Sequence, residues 1–154
     1  MIGLVLLVLL GANRIVITEV MADPRGVTGV HMPEDRNEFV EIYNPADTAI
    51  DLNGWTISDG DAVDVLTAWT DSSLLAPDSS LVIGSSELGP GGYAVVLDPE
   101  STDTAALGGY EQPYRFGPGT LILTVGNTTI GDGLTTTDPL VLFSADGDTS
   151  TFGT

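Results

Sequence analysis

Short runs of β-branched and aliphatic residues, each bounded by glycine, proline, asparagine or aspartate, recur along this chain. Such runs read as strands separated by turns. The pattern predicts strands over Arg14–Met21, Glu38–Tyr43, Ile50–Ser58, Ala62–Thr67, Ser80–Gly84, Tyr93–Leu97, Thr120–Val125 and Leu140–Ser144, with a further one starting at Thr149–Gly153. No stretch repeats at helical spacing. Strand side chains alternate between two faces, so Val40 and Ile42 share one side and Phe39, Glu41 and Tyr43 the other. The first pair is assigned to the core, as are Leu121, Leu123 and Val125. Many short strands with little helix predict an all-β sandwich or barrel. Between Pro99 and Pro118 glycines, prolines and threonines break the alternation. That segment reads as a long loop whose aromatics, Tyr110, Tyr114 and Phe116, pack back on the sheet.

A length of 154 residues fits one domain. A chain of this size buries enough surface to fold without disulfides, which agrees with the absence of cysteine. The apolar run Ile2–Leu10 is too short for a bilayer span. With Gly11 and Ala12 after it, residues 1–12 read as a secretory signal peptide that lacks the usual basic start. The other reading is an edge strand. The domain itself would then occupy residues 13–154.

Charge narrows the partners. Aspartate and glutamate total 22, arginine supplies all four positive charges, and the net charge is −18. Nucleic acid and anionic bilayers are excluded, because both need clustered basic residues. Cations, basic proteins and neutral glycans stay open. Acids this numerous form close pairs by chance, so abundance alone does not indicate acid–base catalysis. Glu19 shares a face with Ile15 and Ile17 under strict alternation, and a bulge, a strand end or an arginine partner is the expected remedy. His31, the lone histidine, falls in a loop beside Met32-Pro33, and no nucleophile–base pair is evident around it. Gly89-Pro90-Gly91-Gly92 lacks the Lys-Ser/Thr ending of a phosphate loop.

One segment invites a cation. Asp59, Asp61 and Asp64 cluster within a tight turn, and Asp146 and Asp148 flank Gly147. Calcium takes six to eight oxygens from such loops. The Asp-Gly pair is equally a hairpin turn, and the turn reading is preferred. No other cofactor is indicated. Asn127-Thr128-Thr129 matches a glycosylation sequon.

Taken in order, Ile15-Val16-Ile17-Thr18-Glu19-Val20, Glu38-Phe39-Val40-Glu41-Ile42-Tyr43-Asn44-Pro45 and Ile50-Asp51-Leu52-Asn53-Gly54-Trp55-Thr56-Ile57-Ser58-Asp59 form a familiar series. Pro90 to Pro99, Gly131-Asp132-Gly133-Leu134 and Pro139 to Phe143 continue it. The series resembles the lamin tail domain (LTD), in particular the form found in secreted bacterial proteins. The resemblance runs from Arg14 to the C-terminus. It implies an immunoglobulin-like antiparallel β-sandwich in which Trp55 is the central core tryptophan. Gly54 would give the backbone freedom for a turn or bulge before it. It also implies a non-catalytic binding or spacer module, secreted or at the cell surface. The basic surface of some nuclear lamins is missing here, so DNA binding does not carry over. The chain ends soon after Gly147, where the family often continues, so an excerpt of a longer protein is one reading. The competing function is a small secreted hydrolase, or a calcium-dependent module built on the Asp-rich loops.

Overall fold

The computed structural model describes residues 15–24, 37–72, 79–101 and 114–151. The N-terminal apolar run, His31 and Tyr110 lie outside them. The elements are β1 (Val16–Met21), β2 (Phe39–Tyr43), β3 (Ile50–Asp51), β4 (Thr56–Ser58), β5 (Val63–Ala68), β6 (Glu87–Leu88), β7 (Tyr93–Leu97), β8 (Leu121–Val125), β9 (Val141–Phe143) and β10 (Thr149–Thr151). Eight strands join in the order β1-β2-β7-β8-β5-β4-β9-β10, and β3 pairs with β6 separately. β5 turns the corner between the two layers: Val63–Val65 pair with β4, and Leu66–Ala68 pair with β8. A strand that passes from one sheet to the other lets both layers share one core. Among the described residues no helix is long and apolar enough to cross a membrane.

Pairing is antiparallel except between β7 and β8, which run parallel. Parallel neighbours need a crossover of a dozen or more residues, and this is why a long segment follows Leu97. Each of the two strands is entered through a turn of the same sequence type. Gly92 N–H donates to Gly89 O at 3.0 Å and Thr120 N–H to Gly117 O at 3.1 Å. Pro90 and Pro118 take the second turn position, and Gly91 and Gly119 the third with φ of 65° and 81°, the residue pattern of a type II turn.

The main core collects Val40 and Ile42 of β2, Leu121, Leu123 and Val125 of β8, Ile57, Leu66 and Leu142. The faces read from alternation are thus the observed ones. The opposite face of the same strands is also covered. Phe39, Val95, Leu97 and Ile122 form a second cluster with Trp69. The Tyr114 and Phe116 rings meet Phe39 edge-on at 4.7 and 5.8 Å, so these aromatics do pack back on the sheet. Burial, and then the carboxylates of Glu19 and Glu38, push the Tyr114 phenol above its ordinary pKa.

Four expectations change. Trp55 is half-buried at the margin of the main core, and the fully buried indole is Trp69, 4% exposed. The run Ile50–Ser58 divides, because Trp55 N–H bonds Leu52 O at 3.2 Å and Gly54 takes φ 77° in the turn between β3 and β4. Ser80–Gly84 forms no strand: only Val82 bridges to Leu121. Its flanking Leu81 and Ile83 pack instead on the second cluster. Strand β6 at Glu87–Leu88 was not expected.

Candidate functional site

Asn44 shows how the loops are fixed. Its buried amide donates to Thr48 O, Leu88 O and Gly89 O at 2.9–3.0 Å, and its Oδ1 accepts Ala46 N–H at 3.0 Å. One side chain therefore satisfies the Asn-Pro turn and the start of the Gly-Pro-Gly turn together.

Three buried carboxylates do the same for the loop after β8. Glu38 Oε2 accepts Leu134 N–H at 2.9 Å, Asp64 Oδ2 accepts Gly131 N–H at 2.6 Å, and Asp59 Oδ2 accepts Asp132 N–H at 3.1 Å. Asp64 Oδ1 also accepts the Asn127 amide at 2.6 Å. Asp59 Oδ1 closes its own hairpin by accepting Asp61 and Ala62 N–H at 3.0 and 2.8 Å. Charge-assisted bonds of this kind are roughly twice as strong as neutral ones. Burial pushes the Asp59 carboxyl up, but the backbone N–H groups of Ala62, Asp132 and Asp61 outweigh it and hold it below the usual range.

This is where the sequence-predicted cation residues sit. Asp59 and Asp64 aim at N–H donors on the 127–134 loop, while Asp61 is exposed. Among the described residues no three acidic or histidine side chains are placed to hold a metal ion. The Asp146-Gly147-Asp148 segment is a hairpin turn, with Gly147 at φ 89° and Ser144 N–H bonded to Asp148 O at 2.8 Å. Glu19 meets the solvent-facing expectation. The register steps from Ile17↔Ile42 to Glu19↔Glu41, so Thr18 is a bulge and Glu19 is exposed. A bulge re-aims the side chains that follow it.

A concave feature among the described residues lies elsewhere. A cleft of about 290 Å³ opens where β3, the turn before β4, and the β9–β10 hairpin meet the start of β1. Ile15, Ile50 and Trp55 supply apolar wall, and Asp51, Asp146 and Asp148 are exposed around it. Asp51 is fixed: its Oδ1 accepts Ser86 Oγ at 2.7 Å and Asn53 N–H at 3.0 Å. The Ser86 hydroxyl, then the Asn53 N–H, hold its pKa below the ordinary carboxylate value. Sequence reasoning placed Trp55 in the interior and so missed this cleft. The signal was the turn chemistry of Asp51-Leu52-Asn53-Gly54, which ends β3 at Asp51 and leaves Trp55 at the close of the turn, outside both strands.

The architecture is that of an immunoglobulin-like β-sandwich. The chain belongs to the Lamin Tail Domain family, whose model matches residues 11–151. A search of curated proteins found no match to the chain.

Proposed function

We propose that this chain is a non-catalytic attachment or spacer module that works outside the cell. The observation that carries the reading is the use made of its interior acids. Glu38, Asp59 and Asp64 each accept backbone N–H groups from the 131–134 segment. A general acid at neutral pH needs a raised carboxyl pKa, whereas the Asp59 carboxyl is held down. The acids are thus spent on tying a loop to the sandwich. Export is supported by the apolar run Ile2–Leu10 followed by Gly11 and Ala12.

Two measurements test this. Mass spectrometry of the protein from its native host should find a mature N-terminus near Asn13; an intact Met1 in cytoplasmic material would count against export. Purified protein should release no product from chromogenic glycosides, esters or phosphodiesters. Hydrolysis that disappears in Glu38→Gln while the melting temperature holds would replace this reading with the hydrolase one.

A further inference from the structure

Resting on that reading of a non-catalytic attachment module, we propose that the Trp55 cleft is a subsite for a neutral glycan and seats a pyranose ring against the indole. The chemistry of its two walls carries this. A pyranose has an apolar C–H face and a rim of hydroxyls, each both donor and acceptor. On the apolar side Trp55 is half-buried, so part of its ring is open, and Ile15 and Ile50 stand with it. A fixed aromatic surface gives a large contact at little cost in entropy. On the polar side the Asn53 amide and the Ser144 and Ser150 hydroxyls can donate, and the Asp51 carboxylate accepts. A cation would use acceptors alone and an anion donors alone, whereas a hydroxyl uses both. An apolar wall joined to a few placed polar groups is the usual form of a small-molecule site.

The polar groups are positioned by the fold itself. Asp51 Oδ1 accepts both the Ser86 hydroxyl and the Asn53 N–H, which leaves Oδ2 to accept from a sugar hydroxyl. Ser144 Oγ accepts Asp148 N–H at 2.9 Å, so its own proton is left to donate. Ser144 N–H donates to Asp148 O at 2.8 Å and Ser144 O accepts Gly147 N–H at 3.0 Å, which pins the hairpin side of the cleft. A wall held in place beforehand lowers the ordering cost of binding. The volume of about 290 Å³ lies at the small end of ligand pockets, which run from roughly 300 Å³ upward. It suits a sugar ring whose chain continues into solvent. A net charge of −18 turns away uronate-bearing or sulfated glycans and leaves the neutral ones.

The test titrates the full chain with cellotriose, maltotriose and chitotriose, followed by ¹H–¹⁵N NMR. Trigalacturonate and acetyl-Gly-Arg-Gly-amide serve as charged controls. At least one neutral trisaccharide should shift the Trp55 indole N–H and the Asn53 side-chain amide at millimolar concentration and leave the Trp69 indole in place. Asn53→Ala and Asp51→Asn, at exposed positions, should each weaken that binding about two- to tenfold, the effect of one lost hydrogen bond. Trp55→Ala should abolish the Asn53 shift, with an unmoved Trp69 signal showing that the fold is intact. No shift with any of the three sugars overturns the proposal, and a cleft filled by the chain's own residues would give that result. So would a larger response at Trp55 to either charged control, or binding unchanged in both Asn53→Ala and Asp51→Asn. Failure here without hydrolytic activity leaves the non-catalytic module standing, with its contacts elsewhere. Binding accompanied by cleavage of the trisaccharide would keep the subsite and sink only the non-catalytic reading.

Discussion

The Asp59 carboxylate fills the space that a side chain on Gly131 would require. A Cβ built there collides with the Asp59 carboxylate, and Gly131 holds φ 63° in the left-handed region. Gly133, two residues on, has φ 97° with nothing near its missing side chain. Both glycines should therefore resist alanine for one shared reason and one separate reason. Gly133→Ala should cost about 1–3 kcal/mol from backbone strain. Gly131→Ala should cost a further ~1–3 kcal/mol from overpacking against Asp59. Urea unfolding of the two variants checks this. Equal losses would mean that Asp59 swings aside and that the close approach is unimportant.

The two tryptophans should rank in a definite order. Trp69 is buried, and its indole N–H donates to Asp71 O at 2.9 Å. Trp55 lies half-open on the cleft. Trp69→Ala should cost about 3–5 kcal/mol, the range of a core aromatic deletion. Trp55→Ala should lose distinctly less, roughly 1–2 kcal/mol for partial apolar burial. The reverse order in denaturant melts would restore Trp55 as the centre of the core.

How these positions read in sequence depends on what each side chain touches. Val40, Ile42, Leu121 and Leu123 were legible because alternation and hydrophobicity agree there. Phe39 and Ile122 were not, because the second layer over them comes from Tyr114, Phe116, Leu81 and Ile83 in loops. β5 inverts the usual signal: Val63 and Val65 are 65% and 50% exposed, and Asp64 between them points inward. A buried acid of this kind is stabilised by the Asn127 amide and the Gly131 N–H, 63 and 67 residues further along the chain, and local pattern carries no trace of them. Of the candidate site, the Asp59-Gly60 turn was readable from its residues, since an Asp side chain bonds its own backbone two residues on. The cleft was not, since it forms where a turn, a hairpin and the beginning of β1 converge.

Acid should weaken the fold through Asp59. A carboxyl whose folded pKa is depressed contributes stability above its unfolded value, near 4. That contribution is lost as pH falls through the lowered folded value. Unfolding free energies measured from pH 6 to pH 2 should therefore drop most steeply below about pH 4. Asp59→Asn keeps an oxygen for Asp61 and Ala62 but sets an NH₂ against the Asp132 N–H. It should be weaker at pH 6 by about 1–3 kcal/mol, with a shallower acid limb. An unchanged acid limb in the variant would assign the pH dependence to other carboxylates.

Salt should strengthen the fold, and calcium should act only as salt. At pH 7 the chain carries 22 acids against four arginines. The unbalanced repulsion opposes the compact state, and physiological ionic strength limits its reach to about 8 Å. The melting temperature should therefore climb with sodium chloride. A specific calcium site would add RT ln(1 + [L]/Kd), which saturates and survives high salt. Such a site at Asp59, Asp61 and Asp64 would have to compete with the Gly131, Asp132 and Ala62 N–H groups that two of those carboxylates already hold. A melting series in sodium chloride, with and without millimolar calcium, separates the two effects. The expected curves converge once sodium chloride is high. A calcium increment that persists there, and that Asp61→Asn removes, would show that the hairpin gathers its aspartates around an ion. A melting temperature indifferent to both salts would mean that the acids are too dispersed for their repulsion to matter.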